Sequence, residues 1–267
     1  MNLHYLAHLA EFGATDVHIM GRRATVPLVS ALALAPGQRV LEIGCGTGGT
    51  LVRILLAHAV TIDAIDILPE MLRVARRRVQ LADLRKRAHL FRAQSAALPL
   101  RDMSYDRTYT EGALGFHDAI TAPAMLAELF RVLKPHGLYV ANETMWKNTV
   151  APEMVAMINA ECEEDFGVRQ AAEQPWTAES WRSLMRDAGF EIVSDKLLGA
   201  CLPAGRDSLD RFSLGLLASN AVSLSYDIKG HLTPRLVKQK LEYRKRLTKD
   251  HGYGQHIEAR LFVLRKP

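Results

Sequence analysis

Long apolar runs are missing from this chain. Its longest nearly apolar stretch, Ala24 to Pro36, falls far short of the ~20 residues a membrane-spanning helix needs, so no membrane span is expected. The first residues, MNLHYLAHLAEFG, lack the basic start and apolar run of a secretory signal. Cysteine is scarce. Cys45, Cys162 and Cys201 are scattered, odd in number and never spaced as C-x-x-C, which argues against a disulfide framework and against a bound metal. A reducing, cytoplasmic setting is the expectation. Internal repeats and low-complexity tracts are absent as well.

What remains is ordinary globular material. The 267 residues are 48% hydrophobic and 24% charged, enough for one large α/β domain or a core with appendages. The formal charge of +5 is mildly basic. Two basic clusters, Arg76 to Arg87 and Lys238 to Lys249, could in principle form a nucleic-acid face. Both carry helical patterns and read more simply as solvated surface, which disfavours nucleic acid as a partner.

From Arg39 onward, short apolar runs alternate with helical patterns. RVLEI (Arg39 to Ile43) reads as a strand, followed by a glycine-rich turn and a helix through about His58. VTIDAID is the second strand, and PEMLRVARRRVQL a helix with proline at its first position, where the missing N–H costs nothing. HLFRA and YDRTYTE are further strands; a helix from Ala122 to Leu133 stops at Lys134-Pro135-His136-Gly137 before the strand GLYVANE. Pro152 to Phe166 reads as an extra helix, and Thr177 as the N-cap of a helix ending near Gly189. FEIVSDKLL, a helical interlude from about Asp207 to Lys249, and the strand IEARLFVLR complete the chain. Such alternation predicts an α/β fold, a doubly wound sheet covered on both faces. The expected organisation is a helical N-terminal segment over 1–36 and one domain over 37–267, with helical cap insertions at about 146–176 and 200–255. Ligands of such sheets bind beyond the carboxyl ends of the strands, where strand order reverses.

The strongest signal is Val40-Leu41-Glu42-Ile43-Gly44-Cys45-Gly46-Thr47-Gly48-Gly49, at the turn from the first strand into the first helix. Glycines there allow positive φ and close approach to a ligand. Gly44, Gly46 and Gly49 also satisfy the G-x-G-x-x-G dinucleotide fingerprint. Glu42 separates the two readings, because a carboxylate beside the loop repels a pyrophosphate and suits the cationic amino-acid end of S-adenosylmethionine (SAM). Asp66, at the end of the second strand, has two acceptor oxygens for a pair of ribose hydroxyls. Asp63 lies on the opposite face and reads as structural. Ile67 could pack against an adenine ring.

VLEIGCGTGG, AIDILPEML, AALPLRDMSYDRTYTE and ELFRVLKPHGLYVANE, in this order and spacing, resemble the core of class I SAM-dependent methyltransferases, nearest in flavour to the group acting in ubiquinone and menaquinone biosynthesis. The resemblance covers about residues 37 to 145 and resumes at TAESWRSLMRDAGFEIV. It implies a Rossmann-like seven-stranded sheet with the last strand antiparallel, and SAM as the methyl donor. Carried over position by position, Glu42, Gly44, Gly46 and Gly48 would form the methionine-side loop and Asp66 would hold the ribose. Gln94, followed by Ser95, stands where the family usually has an Asp for the adenine amino group; its side-chain carbonyl could accept the same hydrogen bond.

Methyl transfer from a sulfonium is an in-line displacement in which alignment supplies much of the acceleration. A base is needed only where the acceptor must lose a proton. His117 is the first candidate, since its ordinary pKa lies near neutrality; capping of the next helix is its competing role. Glu111, ending the fourth strand, reads as a cofactor-side or pocket residue. His18, Glu143 and Trp146 are candidate contacts of the acceptor. The expected partner is a small molecule. RNA or protein methylation and a non-catalytic SAM-binding subunit are the alternatives, although neither an Asn-Pro-Pro-Tyr element nor a Pro-Cys nucleophile is present.

Overall fold

The computed structural model describes residues 3–18, 20–169, 171–198, 214–247 and 253–267. Seven strands form one sheet in the order β3-β2-β1-β4-β5-β7-β6. These are β1 (Arg39–Ile43), β2 (Thr61–Asp66), β3 (Ala88–Arg92), β4 (Tyr105–Glu111), β5 (Leu133–Trp146), β6 (Glu191–Leu197) and β7 (Ile257–Arg265). β1 to β5 pair in parallel, while β7 runs antiparallel to both β5 and β6. The chain winds outward from β1 to β3 and then returns to β4, so strand order reverses between β1 and β4.

Side-chain alternation divides the core into two layers. Val40, Ile62, Tyr109 and Val140 pack on one face beneath α2 (Arg22–Ala31), α3 (Gly49–Ala57) and α4 (Pro69–Leu81). Leu41, Ile43, Ile65, Tyr139 and Ala141 pack on the other against α5 (Thr121–Val132) and α7 (Ala178–Asp187). Asp63 belongs to this second face, where Arg39, His89 and Tyr105 hold it, away from the loop.

Element bounds match the alternation closely, with one clear difference. β5 begins at Leu133 and runs to Trp146, longer at both ends than the strand read from Gly137 to Glu143. Its far end, Thr144 to Trp146, pairs with Ala259 to Ile257 of β7, a partner over a hundred residues away that no local pattern reveals. Thr177 caps α7 as expected, accepting from Ser180 N–H at 3.3 Å.

The additional helices are α1 (His4–Glu11) at the N-terminus, α6 (Pro152–Phe166) after β5, and α8 (Leu214–His231) and α9 (Pro234–Leu247) before β7. The start of the interlude expected from Asp207, and Cys201, lie outside the described residues. α8 packs on α3, α4 and α1, and α9 on α8 and α6. Tyr5, Phe166 and Tyr243 meet as an aromatic cluster with centroids 4.9–6.3 Å apart, joining α1, α6 and α9. Arg78, 1% exposed, donates to the Gly13 and Ser219 carbonyls and to Ser223 Oγ at 2.7–2.8 Å. It thereby ties α4, α8 and the N-terminal segment together, and burial lowers its guanidinium to about 10.

Candidate functional site

Toward the carboxyl edge of the sheet, each of β1, β2, β4 and β5 carries an acidic residue, Glu42, Asp66, Glu111 and Glu143, of which Asp66 and Glu111 are the last of their strands. Their surroundings differ. Asp66 accepts the Gly46 N–H on Oδ2 and the Leu68 N–H on Oδ1, both at 2.9 Å. The loop is itself anchored to β2, because the N–H groups of Gly44 and Cys45 both donate to the Ile65 carbonyl at 2.9 Å. Gly46 adopts φ +53 with nothing within 4 Å of where a Cβ would stand, leaving an open cradle over the turn. Gly48, φ +80, lies 3.0 Å from Ala75 by the same measure, so glycine there permits α3 and α4 to approach.

Glu111 is the hub of a buried network. Its Oε1 accepts from Thr25 Oγ1 at 2.8 Å and Asn142 Nδ2 at 3.2 Å, and its Oε2 from Thr50 Oγ1 at 2.8 Å. His18 Nε2 stands 3.3 Å away. Sequence reasoning placed Glu111 and His18 at the ligand end but missed Thr25, Thr50 and Asn142, whose partners are 31–86 positions distant.

The N-terminal segment lies across the glycine loop. The Ala14 carbonyl accepts from Thr47 Oγ1 at 2.6 Å, Asp16 pairs twice with Arg53, and a Cβ on Gly112 would lie 3.0 Å from the His18 Cβ.

Two expectations for the acceptor pocket need correction. Glu143 is 1% exposed and accepts the Ala113 and Leu114 N–H groups at 3.1 and 3.0 Å, so it holds the 3-10 turn Leu114–Phe116 in place. Burial pushes its carboxyl up to about 7. Trp146 has no exposed surface and packs among Val155, Ile158, Cys162 and Ala171; it anchors α6 instead of lining an opening.

His117 is half-buried. Its Nδ1 is 3.1 Å from the Ala113 carbonyl, which can only accept, so Nδ1 carries the proton. Nε2 then accepts from Ser95 Oγ at 2.6 Å. Burial lowers its pKa, favouring the neutral ring. The helix-capping role falls to Asp118, whose Oδ1 accepts from Ile120 and Thr121 N–H. Ile67 and Gln94 are exposed beside the loop.

Glu42 alone of the four carboxylates keeps a bare oxygen: Oε2 is buried with no hydrogen-bond partner among the described residues. Burial pushes its carboxyl well above the ordinary range, and the Glu111 and Asp66 carboxylates push the same way. Its ionised form is disfavoured, with the Tyr109 hydroxyl acting the other way, and a cation beside it would favour ionisation.

The comparisons agree with this arrangement. A family profile described as a methyltransferase domain matches residues 40–137, from β1 to the start of β5. Over these residues the chain carries the donor-binding core of a class I SAM-dependent methyltransferase. SAM is the methyl donor of this methyltransferase, and the residues present fit it: a buried carboxylate with a bare oxygen and an open glycine cradle. Demethylmenaquinone methyltransferase of Clavibacter sepedonicus is 28% identical over 207 residues, covering 70% of this chain and 82% of that one. The 24-methylenesterol C-methyltransferase 2 of Oryza sativa subsp. japonica is 28% identical over 253 residues, 88% of this chain and 65% of its own length. A geranyl diphosphate methyltransferase solved in complex with SAM has the same fold, with TM-score 0.62 at 15% identity, covering 92% of this chain and 86% of that one.

The state of Glu42 has a measurable consequence. A cation beside Glu42 stabilises its ionised form, so donor binding is expected to release a proton and to tighten as pH rises toward the raised value of the free carboxyl. Calorimetry in buffers of differing ionisation enthalpy reads the proton directly. Glu42→Gln should remove both the release and the pH slope; a slope that survives the substitution assigns the titration elsewhere.

Proposed function

We propose that this methyltransferase methylates a small molecule held beyond the ends of β4 and β5, beneath the N-terminal segment. The observation that carries this reading is the covering of the glycine loop by residues 13–18 through Ala14–Thr47, Asp16–Arg53 and His18–Glu111. A site so roofed suits a ligand that can be enclosed, and the sterol and menaquinone chemistry named for relatives supports an apolar acceptor.

In this reading Glu42 holds the donor's ammonium, and Gly44, Gly46 and Gly48 allow the backbone to approach it. Asp66 holds the ribose, with Ile67, Gln94 and Ser95 around the adenine. When bound, SAM supplies an electrophilic methyl group. Glu111 fixes the N-terminal segment, while Glu143 fixes the turn that carries His117. The neutral His117 ring is placed to take a proton from the acceptor through Nε2 once Ser95 turns aside. Free, buried Cys45 and Cys162 support a reducing, cytoplasmic setting.

The test is S-adenosylhomocysteine formation from SAM and fractionated cell extract. Product is expected with the small-molecule fraction; product only with the RNA or protein fraction would sink the reading. Once an acceptor is found, His117→Ala is expected to lower kcat by about 10²–10⁴-fold with little change in KM. A loss below threefold removes His117 from the chemistry.

A further inference from the structure

α8 is apolar on two opposite sides. One side is used: Val222 and Tyr226 are buried against Met71, Val74 and Ala10. The other faces outward. Leu214, Leu217, Ala221, Leu224, Ile228 and Leu232 recur at steps of three and four residues, the period of one helix face. Leu214 is 81% exposed, Leu224 61% and Leu232, in the turn after α8, 78%. Together they form an exposed apolar stripe along one helix face, a feature that monomers rarely carry without a use.

Charge says what this face fits. A helix seam made for a second copy carries charges of both signs on its flanks, free to pair across it; beside this stripe stand Asn220, Ser225, Lys229 and Asp227, and Asp227 is already paired with His231 and with Lys240 of α9. The adjoining α9, joined by the two residues Leu232 and Thr233, is strongly basic: among Pro234–Leu247 the only acid is Glu242, against six Lys and Arg. Arg235, Lys238 and Arg244 are exposed there, as is Leu241. An apolar helix face beside a cationic helix is complementary to an anionic lipid surface, with the leucines at the acyl boundary and the basic groups at the headgroups. No helix among the described residues is long and apolar enough to cross a membrane, so contact lies in the plane of the interface.

We infer that the α8–α9 hairpin docks this methyltransferase on anionic bilayers. The surface lies outside the donor site and does not depend on the acceptor proposed above. Docking places a lipid-soluble acceptor within reach of the enzyme.

The test is sedimentation of the full chain with phosphatidylcholine vesicles, with and without about 30 mol% phosphatidylglycerol. It is done without SAM, and a separate calorimetric SAM titration reports the donor site, so failure of one is distinguishable from failure of the other. Binding is expected only to the anionic vesicles and should fade at high salt. The double substitution Leu224→Ser/Ile228→Ser should weaken it about tenfold, and Lys238→Glu/Arg244→Glu at least as much, with SAM affinity retained in both as the check on folding. Absence of binding to anionic vesicles, or binding indifferent to the α8 substitutions, overturns the inference. A solution dimer that Leu224→Ser/Ile228→Ser dissociates would also overturn it, by assigning the stripe to a second copy.

Discussion

Asp66→Ala is expected to weaken SAM binding by about 10²–10⁴-fold, in a protein that still folds. The carboxylate has two functions at once. It accepts the Gly46 and Leu68 N–H groups, which sets the height of the glycine turn against the end of β2, and in the reading proposed above its remaining lone pairs serve the ribose hydroxyls. Charge-assisted hydrogen bonds contribute about 1.5–3 kcal/mol each, so losing two accounts for the range. Folding should survive, because Asp66 sits at a strand end and both backbone donors can turn to water. Calorimetric titration gives the affinity and thermal unfolding checks the fold. A change of less than threefold would remove Asp66 from the donor site and reopen the assignment of the loop.

Glu111→Ala is expected to act on stability first. It strands Thr25, Thr50 and Asn142 around an empty acceptor site in an interior where Asn142 has no exposed surface. Breaking a buried charged network costs about 3–5 kcal/mol, which for a chain of this size lowers Tm by roughly 10 °C. Because Thr25 belongs to α2 and His18 to the covering segment, protease cleavage before α2 should accelerate too. Glu111→Gln retains an acceptor and should recover most of the loss. Both substitutions remove one of the charges that raise Glu42, so the pH dependence of SAM binding should move to lower pH even where affinity is kept. A variant that melts within about 2 °C of wild type would show that the hydroxyls find other acceptors and that the hub is not structural.

The parts of this molecule legible in sequence are those whose cause is local. Strand and helix periods, Pro69 at the start of α4, Thr177 as a cap and the glycines of the loop each act within a few residues. The opposite faces of Asp63 and Asp66 follow from strand alternation alone. Glu42, read as a partner for a cation, is the carboxylate with the bare oxygen. What the sequence hid depends on distant partners. Arg78 looked like part of a solvated basic run, and only α8, some 140 residues on, makes it a buried tie. Glu143 and Trp146 stand at the ligand end by topology, yet the turn after β4 consumes the first and α6 covers the second. His117 was weighed as a cap, but the neighbouring Asp118 has the shorter reach to the α5 N–H groups and takes that role. The outward stripe on α8 was present in the residues, though without a third dimension one apolar side cannot be told from the other.

The place of β7 in the sheet bears on the order in which the protein can be made. β7 leaves the ribosome after β5 and β6 yet lies between them, so until it emerges β5 has an open edge and β6 has no neighbour to join. Unpaired edges of this kind invite association between nascent chains. Glu191 and Arg265, which pair across the finished junction at 2.7 Å, stand 74 positions apart. A polypeptide stalled or cleaved before Ile257 would therefore carry the whole donor loop and still fail to close its sheet. Closure of the sheet waits on the nine residues of β7.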